Sequence, residues 1–103
     1  MLSMAAWYER GANYGYWPAQ YNFATLLETG EAGRKDEVEA MKFYMLAADQ
    51  GMGGVPYDRT SNRVVRGGDG AIEMLAKRLT KQQLDDATAR AKAFKPLSGP
   101  LKL

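Results

Sequence analysis

The chain has 103 residues, of which 46% are hydrophobic and 25% are charged, and its formal net charge is +2. These values are typical of one small globular domain and exclude wholesale disorder. The chain contains no cysteine, which excludes disulfides and thiolate metal sites, and no histidine, which removes the commonest general base and zinc ligand. We therefore expect no catalytic centre of the standard hydrolase type.

The charge is unevenly distributed along the chain. Residues 1–50 carry seven acidic and four basic side chains, whereas residues 51–103 carry five acidic and ten basic ones. The first half therefore has a net charge of −3 and the second half +5. Solvated helix faces are the common explanation of such an excess, and the alternative is a basic surface that meets an acidic partner.

The lengths of the apolar segments and the composition of the N-terminal residues indicate the cellular location of the protein. None approaches the roughly 20 residues that a membrane helix needs, so no membrane partner is expected. The segment from Met1 to Tyr8 has no basic residue before its apolar part, which is untypical of a signal peptide. A cytoplasmic location is therefore favoured, with a periplasmic one as the alternative.

Apolar periodicity predicts the first two helices. The first is expected from about Leu2 to Tyr14, and Gly15 is suited to end it in the left-handed conformation. Pro18 begins the second, which runs to about Thr29, because a proline in a first turn sacrifices no hydrogen bond. The positions expected to be buried on these helices are Leu2, Ala5, Ala6, Tyr8, Ala12, Ala19, Phe23, Ala24, Leu26 and Leu27.

A third helix is predicted from about Glu37 to Gln50. Asp36 is a suitable N-cap, and Glu39 three residues later forms a capping-box-like pair with it. Gly51 is expected to close this helix. Its expected apolar face consists of Val38, Met41, Tyr44, Met45 and Ala48.

Residues 52–69 interrupt the helical pattern and are long for a connection in a compact domain. They form either a functional loop or a short hairpin in which Val55–Tyr57 pairs with Arg63–Val65. A lone hairpin of this size is marginally stable unless it packs on the helices.

Two more helices follow. One is predicted from about Ala71 to Leu79, and Thr80 with Gln83 forms a capping box for the last. Pro96 stops that helix, and residues 95–103 are expected to be a frayed tail whose leucines are able to dock. The expected apolar positions are Ile72, Leu75, Ala76, Leu79, Leu84, Ala87, Ala91 and Phe94.

One helical element occurs twice. Trp7-Tyr8 and Phe43-Tyr44 are 36 residues apart, and each pair is followed by small residues and a closing glycine in the same order. A repeat of this period is typical of a helical solenoid, in which each unit buries its apolar face on its neighbours.

The similarity extends over residues 5–51. Pro18-Ala19-Gln20-Tyr21-Asn22-Phe23-Ala24 is followed by a Gly-rich turn at 30–36 and then by Asp36, Ala40, Phe43-Tyr44, Ala47-Ala48 and Gly51. This order resembles the Sel-one-like repeat, a relative of the tetratricopeptide repeat, and residues 71–94 resemble it loosely. The resemblance implies a single all-α domain over residues 1–103, a short TPR-like superhelix of two to two and a half hairpins with an irregular or hairpin insertion at 52–69.

The resemblance also indicates where the repeat is broken. Residues 5–15 match a second helix whose own first helix is absent. Ala71 follows Ala19 by 52 residues, which is 16 more than the repeat period and predicts an insertion after Gly51. Insertions in repeat proteins often lie on the binding face.

Candidate interaction residues fall into three groups. The resemblance places first helices on a concave face, which makes Trp17, Tyr21, Thr25 and Glu28 partner-facing candidates, although packing between hairpins also explains aromatic residues there. Arginine and tyrosine in the insertion favour protein contacts, phosphate contacts or merely solubility. Open aromatic surface on the first helix predicts self-association or a bound partner. The insertion residues are Tyr57, Arg59, Arg63 and Arg66, and those of the first helix are Met4, Trp7 and Tyr8.

No pattern in the chain is a catalytic signature. Asp85-Asp86 is an adjacent acid pair, but its place in a first helical turn is explained by the helix dipole. We therefore expect a non-catalytic protein-interaction module without cofactor or metal, such as a bacterial adaptor, regulator or immunity-type inhibitor. The alternative is binding of nucleic acid or another polyanion through the basic second half.

Overall fold

The structure, a computed structural model, describes residues 3–50, 57–58, 63–64 and 71–97. Most of the described part of the chain is helical, as expected for the all-α class. Its helices are α1 (Met4–Asn13), α2 (Trp17–Thr29), α3 (Glu37–Asp49), α4 (Ala71–Arg78) and α5 (Lys81–Ala93). All five lie within a residue or two of the predicted bounds.

The ends of α1 follow local signals. The Oγ atom of Ser3 accepts a hydrogen bond from the N–H of Ala6 at 3.2 Å and so caps the first turn. At the other end Gly15 has a φ of +88°, as predicted, and its N–H donates to the carbonyl of Ala12. The left-handed conformation at this position favours glycine because it lacks a Cβ.

Helix α2 packs against α1 on one side and α3 on the other. Pro18 lies in its first turn, as predicted, and Gly30 ends it with a φ of +92°. Gly11 and Ala19 form a close crossing of α1 and α2, since a Cβ placed on Gly11 would lie 2.7 Å from that of Ala19. Only a glycine fits α1 at this approach.

Helix α3 is the centre of the fold, because it contacts α2, α4 and α5. Its N-cap, Asp36, accepts a hydrogen bond from the N–H of Glu39 at 3.0 Å. The predicted capping-box pair is only half formed, because the Asp36 N–H donates instead to the carbonyl of Leu27 at 3.0 Å. The Glu39 side chain is used elsewhere, in ion pairs with Lys42 and Arg90. The predicted closure of α3 by Gly51 lies outside the described residues.

The capping box of α5 is complete. The N–H of Gln83 donates to the Thr80 hydroxyl at 3.1 Å, and the Thr80 N–H donates to the Gln83 side chain at 2.8 Å. Beyond α5, the Leu97 N–H donates to the carbonyl of Asn13 at 2.8 Å. The described start of the tail is thus held against the end of α1, where fraying was expected.

Within the insertion at residues 52–69, the structure describes two short paired strands. β1 (Tyr57–Asp58) and β2 (Arg63–Val64) are antiparallel, with Tyr57 opposite Val64. This agrees in position with the predicted hairpin, whose other residues, Val55 and Val65 among them, lie outside the described part.

One core joins the helices, and most of the predicted apolar positions are buried in it. Ala5, Ala6, Leu26 and Ala91 were expected inside but are half-buried and lie outside this core. For Ala5 and Ala6 the reason is that α1 packs against α2 on one side. Leu2 lies outside the described residues. The fully buried large side chains are Tyr44, Phe43, Leu27, Met41, Ile72, Leu75 and Gln20.

Candidate protein-interaction surface

The two copies of the repeated aromatic pair have different surroundings. In α3, Phe43 and Tyr44 are each 1% exposed, whereas in α1 the equivalent Trp7 is 45% exposed and Tyr8 is half-buried. Phe43 is enclosed by Phe23 and Phe94, whose ring centroids lie 5.4 and 6.3 Å away. The same sequence element therefore forms core in one helix and surface in the other.

The apolar residues of α1 lie on two sides of the helix, one of which is buried and the other exposed. Gly11 and Ala12 are buried against the rest of the fold, and Tyr8 packs on the core. Met4 and Trp7, one turn apart, are 69% and 45% exposed. We call Met4 and Trp7 the aromatic flank of α1. Of the three predicted self-association residues, the structure thus places two on the surface and turns Tyr8 inward.

The opposite side of α1 from the core forms a separate face. Ala6, Glu9, Arg10 and Asn13 follow one another at spacings of three, one and three residues, so they share one side of the helix. We call these four residues the outer face. They line a shallow cleft of about 450 Å³, whose far end is bounded by Tyr14 and Leu97.

The charges of the outer face are unpaired within the described chain. Glu9 and Arg10 are both exposed, and neither forms an ion pair with another described residue. In contrast, Arg78 and Arg90 reach carboxylates on other helices. The two charges on α1 are therefore available to a binding partner.

The candidates on α2 lie largely against α3. The Tyr21 ring packs edge-on against Tyr44 with centroids 5.4 Å apart. The Thr25 hydroxyl lies 3.1 Å from the Tyr44 hydroxyl, which donates to Glu28 Oε1 at 2.8 Å. Trp17 begins α2 and is half-buried. The structure brings Tyr21, Thr25 and Glu28 together around Tyr44.

This cluster around Tyr44 is a polar clamp between helices. Glu28 also accepts a hydrogen bond from Arg78 of α4, which donates from Nε to Glu37 at 3.0 Å. Hydrogen bonds to Glu28 and Glu37 raise the pKa of Arg78 above its ordinary value. Burial raises the pKa of the Tyr44 hydroxyl far above its ordinary value, and the nearby carboxylate of Glu28 acts in the same direction. The clamp thus uses these groups inside the chain, and a partner-facing role for them stays a prediction.

Sequence reasoning missed the role of Gln20. Its side chain is fully buried, donates to the Ala12 carbonyl at 3.2 Å and accepts from the Gln50 amide at 2.8 Å. It therefore links α1, α2 and the end of α3 inside the core. A polar residue in the middle of an apolar helical stripe is the signal that points to such a buried linker.

The predicted cluster in the insertion is described only in part. Arg59 and Arg66 lie outside the described residues, and Tyr57 and Arg63 are described as strand backbone without their side chains. Their binding role stays a prediction.

The described residues contain no group of three or more acidic side chains placed to hold a metal ion. None of the helices described here is both long and apolar enough to cross a membrane.

Comparison of the chain with models of protein families, with curated proteins and with solved structures found no match.

Proposed function

We propose that this protein is a non-catalytic protein-interaction module, built as a short TPR-like solenoid of Sel-one-like repeats, whose aromatic flank on α1 binds another protein. The observation that carries the proposal is the exposure of Trp7 where its repeat equivalent, Phe43, is buried. In a repeat array each unit covers the next, so an uncovered unit offers a surface already shaped for helix packing.

The packing order of the helices supports a solenoid. Helix α2 contacts α1 and α3, and α3 contacts both α4 and α5. In the repeat assignment α1, α3 and α5 are successive second helices. The α3–α5 contact is one that stacking of two hairpins forms, whereas α1 and α3 do not pack extensively within the described residues.

The chemistry of the flank suits a protein partner. Tryptophan is enriched among the residues that contribute most to interfaces, and Trp7 is exposed on α1. Met4 adds a flexible side chain that adapts to an irregular apolar surface. Adaptor, regulator and immunity-type inhibitor are the roles in which such a small module acts by occupying its partner.

A polyanion partner is the weaker candidate. Two of the cations in the basic half, Arg78 and Arg90, are engaged with carboxylates of α2, α3 and α5. Their charge is therefore largely compensated within the fold, which reduces the basic surface left for phosphates.

A capture experiment tests the proposal. The purified protein is immobilised, the protein that it retains from a lysate of the source cell is identified and purified, and its affinity is measured by titration. We expect Trp7→Ser to weaken this binding by roughly tenfold or more, because a central aromatic anchor is lost. Met74→Ser is the matched control, since Met74 on α4 is also an exposed apolar residue, 61% exposed.

The control decides how the result is interpreted. Equal affinity of the wild type and Trp7→Ser would overturn the proposal, as would equal weakening by both variants. Salt-sensitive binding of a fluorescent single-stranded DNA that Trp7→Ser leaves unchanged, with no protein retained, would favour the polyanion alternative instead.

A further inference from the structure

We propose that the outer face of α1 pairs with the outer face of a second copy of this chain, with the two α1 helices parallel about a two-fold axis. This goes beyond the proposed function, because it assigns a separate face of α1 to self-association. The dimer leaves the aromatic flanks on its two sides, so that each assembly presents two partner sites.

The charge pattern of the outer face is self-complementary. Glu9 and Arg10 are neighbours in sequence and so lie about 100° apart around the helix, on opposite edges of the stripe that Ala6 and Asn13 define. Side chains one residue apart do not face each other, so the pair is not satisfied within its own helix. A two-fold axis parallel to α1 places Glu9 of each copy beside Arg10 of the other.

The direction of the pairing follows from the same geometry. If the two helices were antiparallel, equivalent edges would meet, and Glu9 would lie beside Glu9 and Arg10 beside Arg10. The parallel arrangement forms two attractive contacts, whereas the antiparallel one forms like-charge contacts. Charge complementarity therefore selects the parallel dimer.

The central stripe fits a parallel pair. Ala6 and Asn13 are seven residues apart, which is the spacing at which parallel helices repeat their contacts. The small Ala6 side chain allows close approach, and an asparagine at a central position is a known device for fixing the register of a parallel dimer. Tyr14 and Leu97 add apolar surface at the end of the cleft, where Leu97 is 56% exposed.

The small area of the outer face determines the expected affinity of the dimer. A helix of ten residues such as α1 is about 15 Å long, and its face is far smaller than the roughly 800 Å² per partner of a stable interface. We therefore expect a reversible dimer whose population rises with protein concentration.

Sedimentation equilibrium with charge-reversal variants tests the pairing. We expect Glu9→Arg and Arg10→Glu each to weaken the dimer by roughly tenfold or more, because each variant replaces both attractive contacts by repulsive ones. An equimolar mixture of the two variants restores a mixed dimer, and the double variant restores the homodimer. Asp85→Arg and Lys92→Glu, exposed on α5, are matched controls that change the net charge equally and leave dimerisation unchanged.

Cross-linking tests the direction of the helices. Because the chain has no cysteine, Asn13→Cys introduces a single thiol, which the parallel axis brings next to its own copy. An antiparallel pair would separate these thiols by about 10 Å along the helices, too far for a disulfide. Mild oxidation is expected to cross-link Asn13→Cys and not Asp85→Cys.

Each outcome is decisive. A wild type that stays monomeric at millimolar concentration would overturn this inference but not the proposed function, which the Trp7→Ser titration tests alone. A dimer that is insensitive to both charge reversals, or that forms no disulfide through Asn13→Cys, would overturn the pairing through the outer face. Circular dichroism of every variant confirms that α1 is still folded.

Discussion

Gly11→Ala is expected to destabilise the protein although alanine is the better helix former. Gly11 lies inside α1, where exchange of an exposed glycine for alanine stabilises a helix by about 1 kcal/mol. Here the new Cβ would lie 2.7 Å from the Cβ of Ala19, closer than real Cβ contacts are found. Neither methyl has a rotamer with which to move away, so the two helices must separate.

The expected loss of stability in Gly11→Ala is the difference between two opposing terms. Overpacking a close contact costs about 1–3 kcal/mol. Separation of α1 from α2 also stretches the hydrogen bond from Gln20 to the Ala12 carbonyl, which already measures 3.2 Å. After subtraction of the helix-propensity gain, we expect a net loss of about 1 kcal/mol and a fall in Tm of about 5 °C for a domain of this size.

Thermal and urea unfolding followed by circular dichroism measure this effect. Arg10→Ala compared with Arg10→Gly calibrates the alanine-for-glycine gain at an exposed position of the same helix. Ala19→Gly combined with Gly11→Ala reopens the crossing, so the double variant should be more stable than the sum of the single effects by about 1 kcal/mol. If Gly11→Ala raised the Tm by the full calibrated gain, the close crossing of α1 and α2 would be refuted.

Three further predictions concern stability. Gln20→Leu is expected to cost about 1–3 kcal/mol in chemical denaturation, because it removes two hydrogen bonds of a buried side chain, one to the Ala12 carbonyl and one from the Gln50 side chain. Asn22→Leu, at a half-buried neighbour, is the control. Thr80→Ala is expected to cost about 1 kcal/mol by removing the α5 cap, and Thr80→Ser to cost much less. The pKa of the Tyr44 hydroxyl is higher in the folded than in the unfolded chain, so the unfolded chain ionises first. The contribution of this group to stability is therefore fully present below about pH 10 and is lost as the pH rises further. The difference between the urea midpoints at about pH 8 and 11 should therefore be smaller in Tyr44→Phe than in the wild type. An equal difference in the two proteins would contradict the burial of this hydroxyl.

The helix ends were predictable because their signals are local. Gly15, Pro18 and Thr80 each specify a backbone conformation or a missing donor within a few residues. The half-formed cap at Asp36 shows the limit of such signals. Its N–H finds the carbonyl of Leu27, which belongs to the preceding helix, and Glu39 is drawn to Arg90, 51 residues away.

The surfaces were harder to predict than the elements. Tyr21, Thr25 and Glu28 were predicted to face a partner, and this stays a prediction. The Tyr21 ring packs on Tyr44, and the polar atoms of Thr25 and Glu28 meet Tyr44 and Arg78, whose positions depend on how α3 and α4 pack. Exposure of Trp7 was expected from the repeat, and its contrast with Phe43 agrees with that reasoning. The outer face carried no sequence signal, since adjacent unlike charges become complementary only when a second helix is placed opposite.

The hydrogen bond between Leu97 and Asn13 has a consequence for folding during synthesis. The carbonyl at the end of the first helix receives its donor from a residue that the ribosome adds only after all five described helices. The native end of α1 therefore cannot be completed while Leu97 is still in the exit tunnel. The last hydrogen bond at the end of α1 thus forms late in folding, although the residues of this helix emerge before those of the other described helices.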